Sequence, residues 1–205
     1  MITIKGYEIA GRMPIFTTEN RALVRSGAKT QTRRVMKQQY IKLDGGGNPY
    51  IDMGYPDDWD GAGLRRDIRC PYGEVSDIRV LPEPLEQLGP FVWYKDTQTE
   101  YRDSVGERAV WQWKRDTLSS MFMPTWAGRV LIRYTDIRVE RLQDISVADA
   151  KAEGIPNDIN IAQYNDYGTG SIHVDAFAEL WDSINAKKHP WPSNPWVWVI
   201  EWELL

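Results

Sequence analysis

Cysteine and histidine are almost missing from this 205-residue chain, which holds only Cys70, His173 and His189 of those two types. One cysteine excludes an intramolecular disulfide, and so few sulfur and imidazole ligands give no metal-binding spacing, so neither a metal nor a cofactor is expected. Cys70 has Arg69 beside it but no nearby His or Cys, and it reads as a turn residue rather than a reactive thiol. The acidic stretch Asp57-Asp58-Trp59-Asp60 is no calcium loop, because the twelfth position counted from Asp57 is Ile68 and not a carboxylate. Long apolar runs are missing too. None reaches the roughly 20 residues of a membrane-spanning helix, and the first residues lack a basic-then-apolar leader pattern, so a cytoplasmic location and no membrane partner are expected. Nor is there an excess of one charge. With 25 Lys and Arg against 29 Asp and Glu the net charge is −4, which disfavours indiscriminate duplex binding, an affinity built on phosphate neutralisation, and leaves room for a small basic groove.

What is present is ordinary for a globular chain, 42% hydrophobic and 26% charged, and the length suits a single domain with insertions near 40–69 and 85–120. Ten tryptophans and ten tyrosines stand out. Aromatic faces can stack on exposed bases, but most should be core. Trp196, Trp198, Ile200, Trp202 and Leu204 alternate with Val197, Val199, Glu201 and Glu203, the period of a terminal strand with one buried face.

Thr17 to Asn20 offers capping oxygens for a short helix over Arg21–Arg25, and Gly27 can end it in the left-handed conformation. Segments 39–43 and 50–53 read as a hairpin around Asp44-Gly45-Gly46-Gly47-Asn48; without a preceding strand and a following helix these glycines are a turn and not a phosphate cradle. Phe91–Tyr94 and Val110–Trp113 read as strands, and Val130–Leu142 as one long strand or two. Ser146-x-x-Asp149 opens a helix that Gly154 closes. A second helix over Asp175–Asn185 carries Phe177, Leu180, Trp181 and Ile184 as its core stripe. The pattern is α+β and mostly β.

The densest chemistry follows Gly27. Between Arg21 and Lys37 there are six cationic side chains with a single acid, Glu19, nearby. Gly27-x-Lys29-Thr30-x-Thr32-x-Arg34 resembles the motif of ASCH domains, a branch of the PUA-like β-barrels associated with RNA and nucleoside recognition. Cys70-Pro71-Tyr72-Gly73, the segment from Asp77 to Glu83, Met123-Pro124-x-x-Ala127-x-Arg129, Val139 to Ile145 and Asn194 to Val199 resemble, in the same order, a bacteriophage and prophage family often labelled morphogenetic. The resemblance implies a PUA-like (ASCH) mixed β-barrel with short flanking helices and loop insertions, working in a bacterial host's cytoplasm. The chain departs from that family where prolines flank Glu83, and at Thr125 and Gly128, where relatives tend to carry Arg and Ser. Proline cannot donate to a sheet ladder, so Glu83 should lie at a strand end or edge.

Three functions stay open. In a binding module, Lys29, Arg33 and Arg34 would meet phosphates of RNA, a modified nucleoside or a nucleotide-like ligand, Thr30 and Thr32 would bond base edges, and Arg129, Tyr72 and Trp126 would line the pocket. In an amidohydrolase, the resemblance implies catalysis by Lys29, Thr32 and Glu83 on N4-acetylcytidine-like substrates. Lys29 could then serve as a base if burial and Arg33 or Arg34 lowered its pKa. A regular strand, however, would point Lys29 and Thr32 to opposite faces, so a turn after Gly27 is required. As a phage assembly protein, the chain would use the basic segment against a protein partner. Arg21 and Arg25 read as solvated surface.

Overall fold

A computed structural model describes residues 2–52, 65–103, 105–159 and 167–205. Among them the strands run in order β1 (Thr3–Ile4), β2 (Tyr7–Glu8), β3 (Gly11–Arg12), β4 (Gln31–Val35), β5 (Lys42–Leu43), β6 (Pro49–Asp52), β7 (Arg65–Asp67), β8 (Ile78–Val80), β9 (Leu85–Leu88), β10 (Phe91–Tyr94), β11 (Thr99–Glu100), β12 (Thr117–Leu118), β13 (Leu131–Arg141) and β14 (Trp196–Leu204). The α helices are α1 (Thr18–Arg25), α2 (Val147–Ala152) and α3 (Ile172–Asn185). The fold is mixed α+β, with several sheets and few helices. Each sheet among the described residues has two open ends, and none closes into a barrel. No described helix is long and apolar enough to cross a membrane.

The chain divides into two compact units, one made of 1–28, 72–135 and 202–205, the other of 29–71 and 136–201. In the first, β3 pairs parallel with β8, and β8 pairs antiparallel with the start of β13, Leu131 opposite Val80. A second sheet orders β11, β10, β9 and β12, with β10 opposite β9 from Phe91↔Leu88 to Tyr94↔Leu85. Val80, Leu85, Val92, Tyr94, Met123 and Leu131 form this unit's core.

In the second unit β14 pairs antiparallel with β4, placing Ile200 opposite Thr32 and Val199 opposite Arg33. Leu142, Ala150, Phe177, Trp181, Val197 and Val199 make its core. The hairpin of β5 and β6 forms around Asp44, whose carboxylate accepts from the backbone N–H groups of Gly46 and Asn48, and β7 adds a third strand. The acids at 57, 58 and 60 lie outside the described residues.

Several expectations are corrected. Val110–Trp113 is not a strand: Val110 makes only an isolated bridge to Phe91, and the chain returns to the sheet at β12. The stripe of α3 is rotated toward Val174, Phe177, Ala178 and Trp181, leaving Ile184 exposed, because the helix starts at Ile172 and its last turn extends past the core. β14 is buried on both faces through Val197, Trp198, Val199 and Ile200, since the α2 and α3 core covers the side expected to be open. β13 is one continuous strand.

Candidate functional site

Helix α1 forms as its caps dictate: the Thr17 hydroxyl accepts from the Asn20 N–H, and Gly27 follows with φ 76°. Its arginines are not solvated surface. Arg21 is buried, with Nε 2.5 Å and Nη2 3.1 Å from the Asp96 carboxylate, Nη1 on the Phe16 carbonyl, and Nη2 on the Thr18 hydroxyl. Arg25 donates to Glu83 Oε1 at 2.9 Å. The carboxylate partners lie 58 and 75 residues along the chain, which explains why local sequence suggested free cations.

The chain past Gly27 enters the second unit. Thr30 N–H donates to the Ala152 carbonyl at 2.9 Å, anchoring the segment beside α2 before β4 begins. Lys29, Gln31 and Arg33 then work together in one charge network, as alternation along a strand requires. Lys29 Nζ donates to the Glu153 carboxylate and to the Glu153 carbonyl, both at 2.6 Å. Arg33 lies 3.1 Å from Glu140, 3.5 Å from Asp149 and 3.6 Å from Glu153, with Gln31 Oε1 also accepting from it. Gln31 donates to Asp149 at 2.7 Å and Glu201 at 2.8 Å, and Arg138 bonds Asp136, Glu140, Asp149 and Glu201. Three cations thus meet five carboxylates, a formal surplus of two negative charges. Such a network is acidic, the reverse of an anion site, although Arg33 Nε and Glu153 Oε1 are buried in it without a hydrogen bond.

Burial pushes the Lys29 ammonium below its ordinary value, helped by Arg34 and Arg33 and opposed by Glu153. Asp149 moves the other way. Burial would raise it, but hydrogen bonds from Gln31 and Ser146 and the charge of Arg33 bring it down to about 2. Thr32 is buried and, one residue off the network's parity, takes no part in it. Arg34 shares its parity and is half-buried.

Glu83 belongs to the first unit, in the proline-flanked link between β8 and β9, outside either strand. Its side chain is fully buried and saturated. Arg129 grips it with two bonds, Nε to Oε2 at 2.9 Å and Nη2 to Oε1 at 2.8 Å, in addition to the one from Arg25. The Arg129 guanidinium also lies 3.7 Å from the centre of the Tyr94 ring and donates to Thr97 at 2.7 Å. Lys29 and Thr32 thus belong to the second unit and Glu83 to the first. The carboxylate on Lys29 is Glu153.

Beside Arg129, still within the first unit, a cavity of about 240 Å³ is lined by Tyr94, Tyr101, Trp126, Gly128 and the β1 turn, with Lys5, Arg102 and Arg129 as its cations and Asp103 as its acid. Tyr101 meets Trp126 edge-on at 5.2 Å, and Trp113 stacks against Trp126 at 6.4 Å with 18° between planes, so the aromatic wall is braced from behind. The Tyr94 hydroxyl donates to the Ala127 carbonyl at 2.7 Å, and burial pushes it well above its ordinary value, so it stays a neutral donor. Of the residues singled out from sequence, Arg129 and Trp126 line this cavity; half-buried Tyr72 does not. Lys5, Tyr94, Tyr101 and Arg102 were missed. The aromatic pair Trp93-Tyr94 and Tyr101 were visible as residue types, but nothing local tied them to Trp126.

Among the described residues no group of three His, Cys, Asp or Glu could hold a metal ion. Comparison with family models, with curated proteins and with solved structures finds no match to this chain. The chemistry of the site itself carries the functional conclusion.

Proposed function

We propose that this protein binds a nucleotide or a short single strand of RNA, with a base held in the Tyr94, Tyr101 and Trp126 cavity and phosphate met by Lys5 and Arg102. The observation that carries this reading is the pairing of a braced aromatic wall with cations in one concave space, the combination that recognises unstacked bases. The volume lies just under the about 300 to 1,000 Å³ of ligand pockets in general, which suits one base and not a large cofactor. It accords with the ASCH-type, PUA-like and phage resemblance and a cytoplasmic role, and it assigns the ligand to the first unit, whereas Lys29 belongs to the second. That motif serves as an internal brace, since its cations are outnumbered by carboxylates.

A second reading, amide hydrolysis of an N4-acetylcytidine-like substrate, is favoured by one observation, the depressed Lys29 ammonium. Glu153 would then replace Glu83 as the proton carrier. The test is a nucleoside and nucleotide panel including N4-acetylcytidine, followed by tryptophan fluorescence and by product formation. Binding that weakens about tenfold or more in Trp126→Ala, the loss one stacked base brings, supports the binding module. Product lost in Lys29→Gln supports hydrolysis. Silence in both channels overturns both and leaves a protein partner, as an assembly role would require.

A further inference from the structure

A second cavity, about 380 Å³, adjoins the first and shares Tyr101, Asp103 and Trp126 with it, while Arg108, Val110, Gln112 and Glu107 line it separately. Tyr101 and Trp126 are thus a partition with a hollow on either side. Each hollow has its own arginine, and the two are cross-strand partners at an isolated bridge, Arg102 opposite Arg108. Both turn to one carboxylate: Arg102 Nη2 is 2.7 Å and Arg108 Nε 3.0 Å from the two oxygens of Glu100. Glu100 is largely buried and the arginines are about half exposed, at 50% and 45%, so the guanidiniums keep donors facing solvent. The shared acid Asp103 accepts from the backbone N–H groups of Val105 and Glu107, so Arg102 and Arg108 are the side chains at this bridge with donors to offer a ligand.

Building on the base-binding reading, we infer that the site takes a dinucleotide step of single-stranded RNA. One base lies in each hollow across the Tyr101 and Trp126 partition, and the linking phosphodiester rests on Arg102 and Arg108. The donors match, since guanidinium forks suit phosphate oxygens. Glu107 in the second hollow can accept from a base amino group, which makes cytosine and adenine the appropriate probes.

The test compares cytidine 3′-monophosphate with the dinucleoside monophosphate CpC, and the adenine pair likewise, by calorimetry on the intact protein. The 3′-monophosphate carries the phosphate without the second base. CpC or ApA binding about tenfold or more tighter than its monophosphate, the gain of one further stacked base, supports the inference. The gain should vanish in Arg108→Ala and in Val110→Asp, a change at a side chain already 56% exposed. Equal affinities for monophosphate and dinucleotide would overturn the second subsite and leave the single-base reading standing. A gain that survives both variants would overturn the placement. No binding by either class of probe would remove the base-binding reading as well.

Discussion

Removing the Lys29 ammonium leaves the Glu153 carboxylate with only Arg33, 3.6 Å away, for a cation. Glu153 is 4% exposed, and Lys29 supplies its shortest contact, so Lys29→Met should cost about 3 to 5 kcal/mol in urea unfolding, the usual loss when one partner of a buried pair is deleted. Pairing it with Glu153→Leu should recover most of that. If Lys29→Met alone leaves stability unchanged, the pair is not buried as described. Lys29→Gln, which keeps a hydrogen-bond donor beside Glu153, is the milder functional probe. Arg129→Lys is the companion case. It loses the two-bond grip on Glu83 and the stacking on Tyr94, and a chemically mild change should lower the melting temperature clearly. Asp149 gives a pH signature. Its folded value, about 2, lies below the ordinary 3.8, so the stability it contributes is complete above that ordinary value and drains away as pH falls toward 2. Asp149→Asn should flatten the loss of melting temperature over that acid range.

At the scale of elements, the capping box at α2 is intact: the Ser146 hydroxyl accepts from the Asp149 N–H while the Asp149 carboxylate accepts from the Ser146 N–H. Gly128 has an ordinary φ of −72°, yet a β-carbon there would stand 2.5 Å from Val80 Cγ1 in a fully packed core. Gly128→Ala should therefore cost about 1 to 3 kcal/mol by overpacking, read by thermal denaturation against a Gly45→Ala control, where a β-carbon meets open space and the backbone has no positive φ. Elements governed by neighbours in sequence were legible: α1 from Thr17 and Gly27, the Asp44 hairpin, and α2 from Ser146 and Asp149. Elements governed by distant neighbours were not. Both faces of β14 are buried because α2 and α3 fold onto it. The cations from Arg21 to Lys37 looked like a site because the acids that pair with four of them, Arg21, Arg25, Lys29 and Arg33, arrive from elsewhere in the chain: Glu83, Asp96, Glu140, Asp149 and Glu153. Local charge excess reports composition, whereas a pocket needs three-dimensional convergence, and Trp126, Arg129 and Tyr101 converge only in the fold.

For the molecule as a whole, a net charge of −4 and a proposed step with a single phosphodiester on two arginines imply a shallow salt dependence. The logarithm of CpC affinity against the logarithm of salt should slope at about −0.7, one phosphate on a single strand, and a slope several times steeper would indicate a broad basic surface instead. The unit boundaries carry a different consequence. They fall inside β13 and inside β14, so the final strand donates residues to both units. During synthesis neither unit can be finished until the ribosome has released β14, and its partner β4 must wait through more than a hundred intervening residues. The acidic brace in particular stays incomplete until β14 brings Glu201 to Gln31 and Arg138.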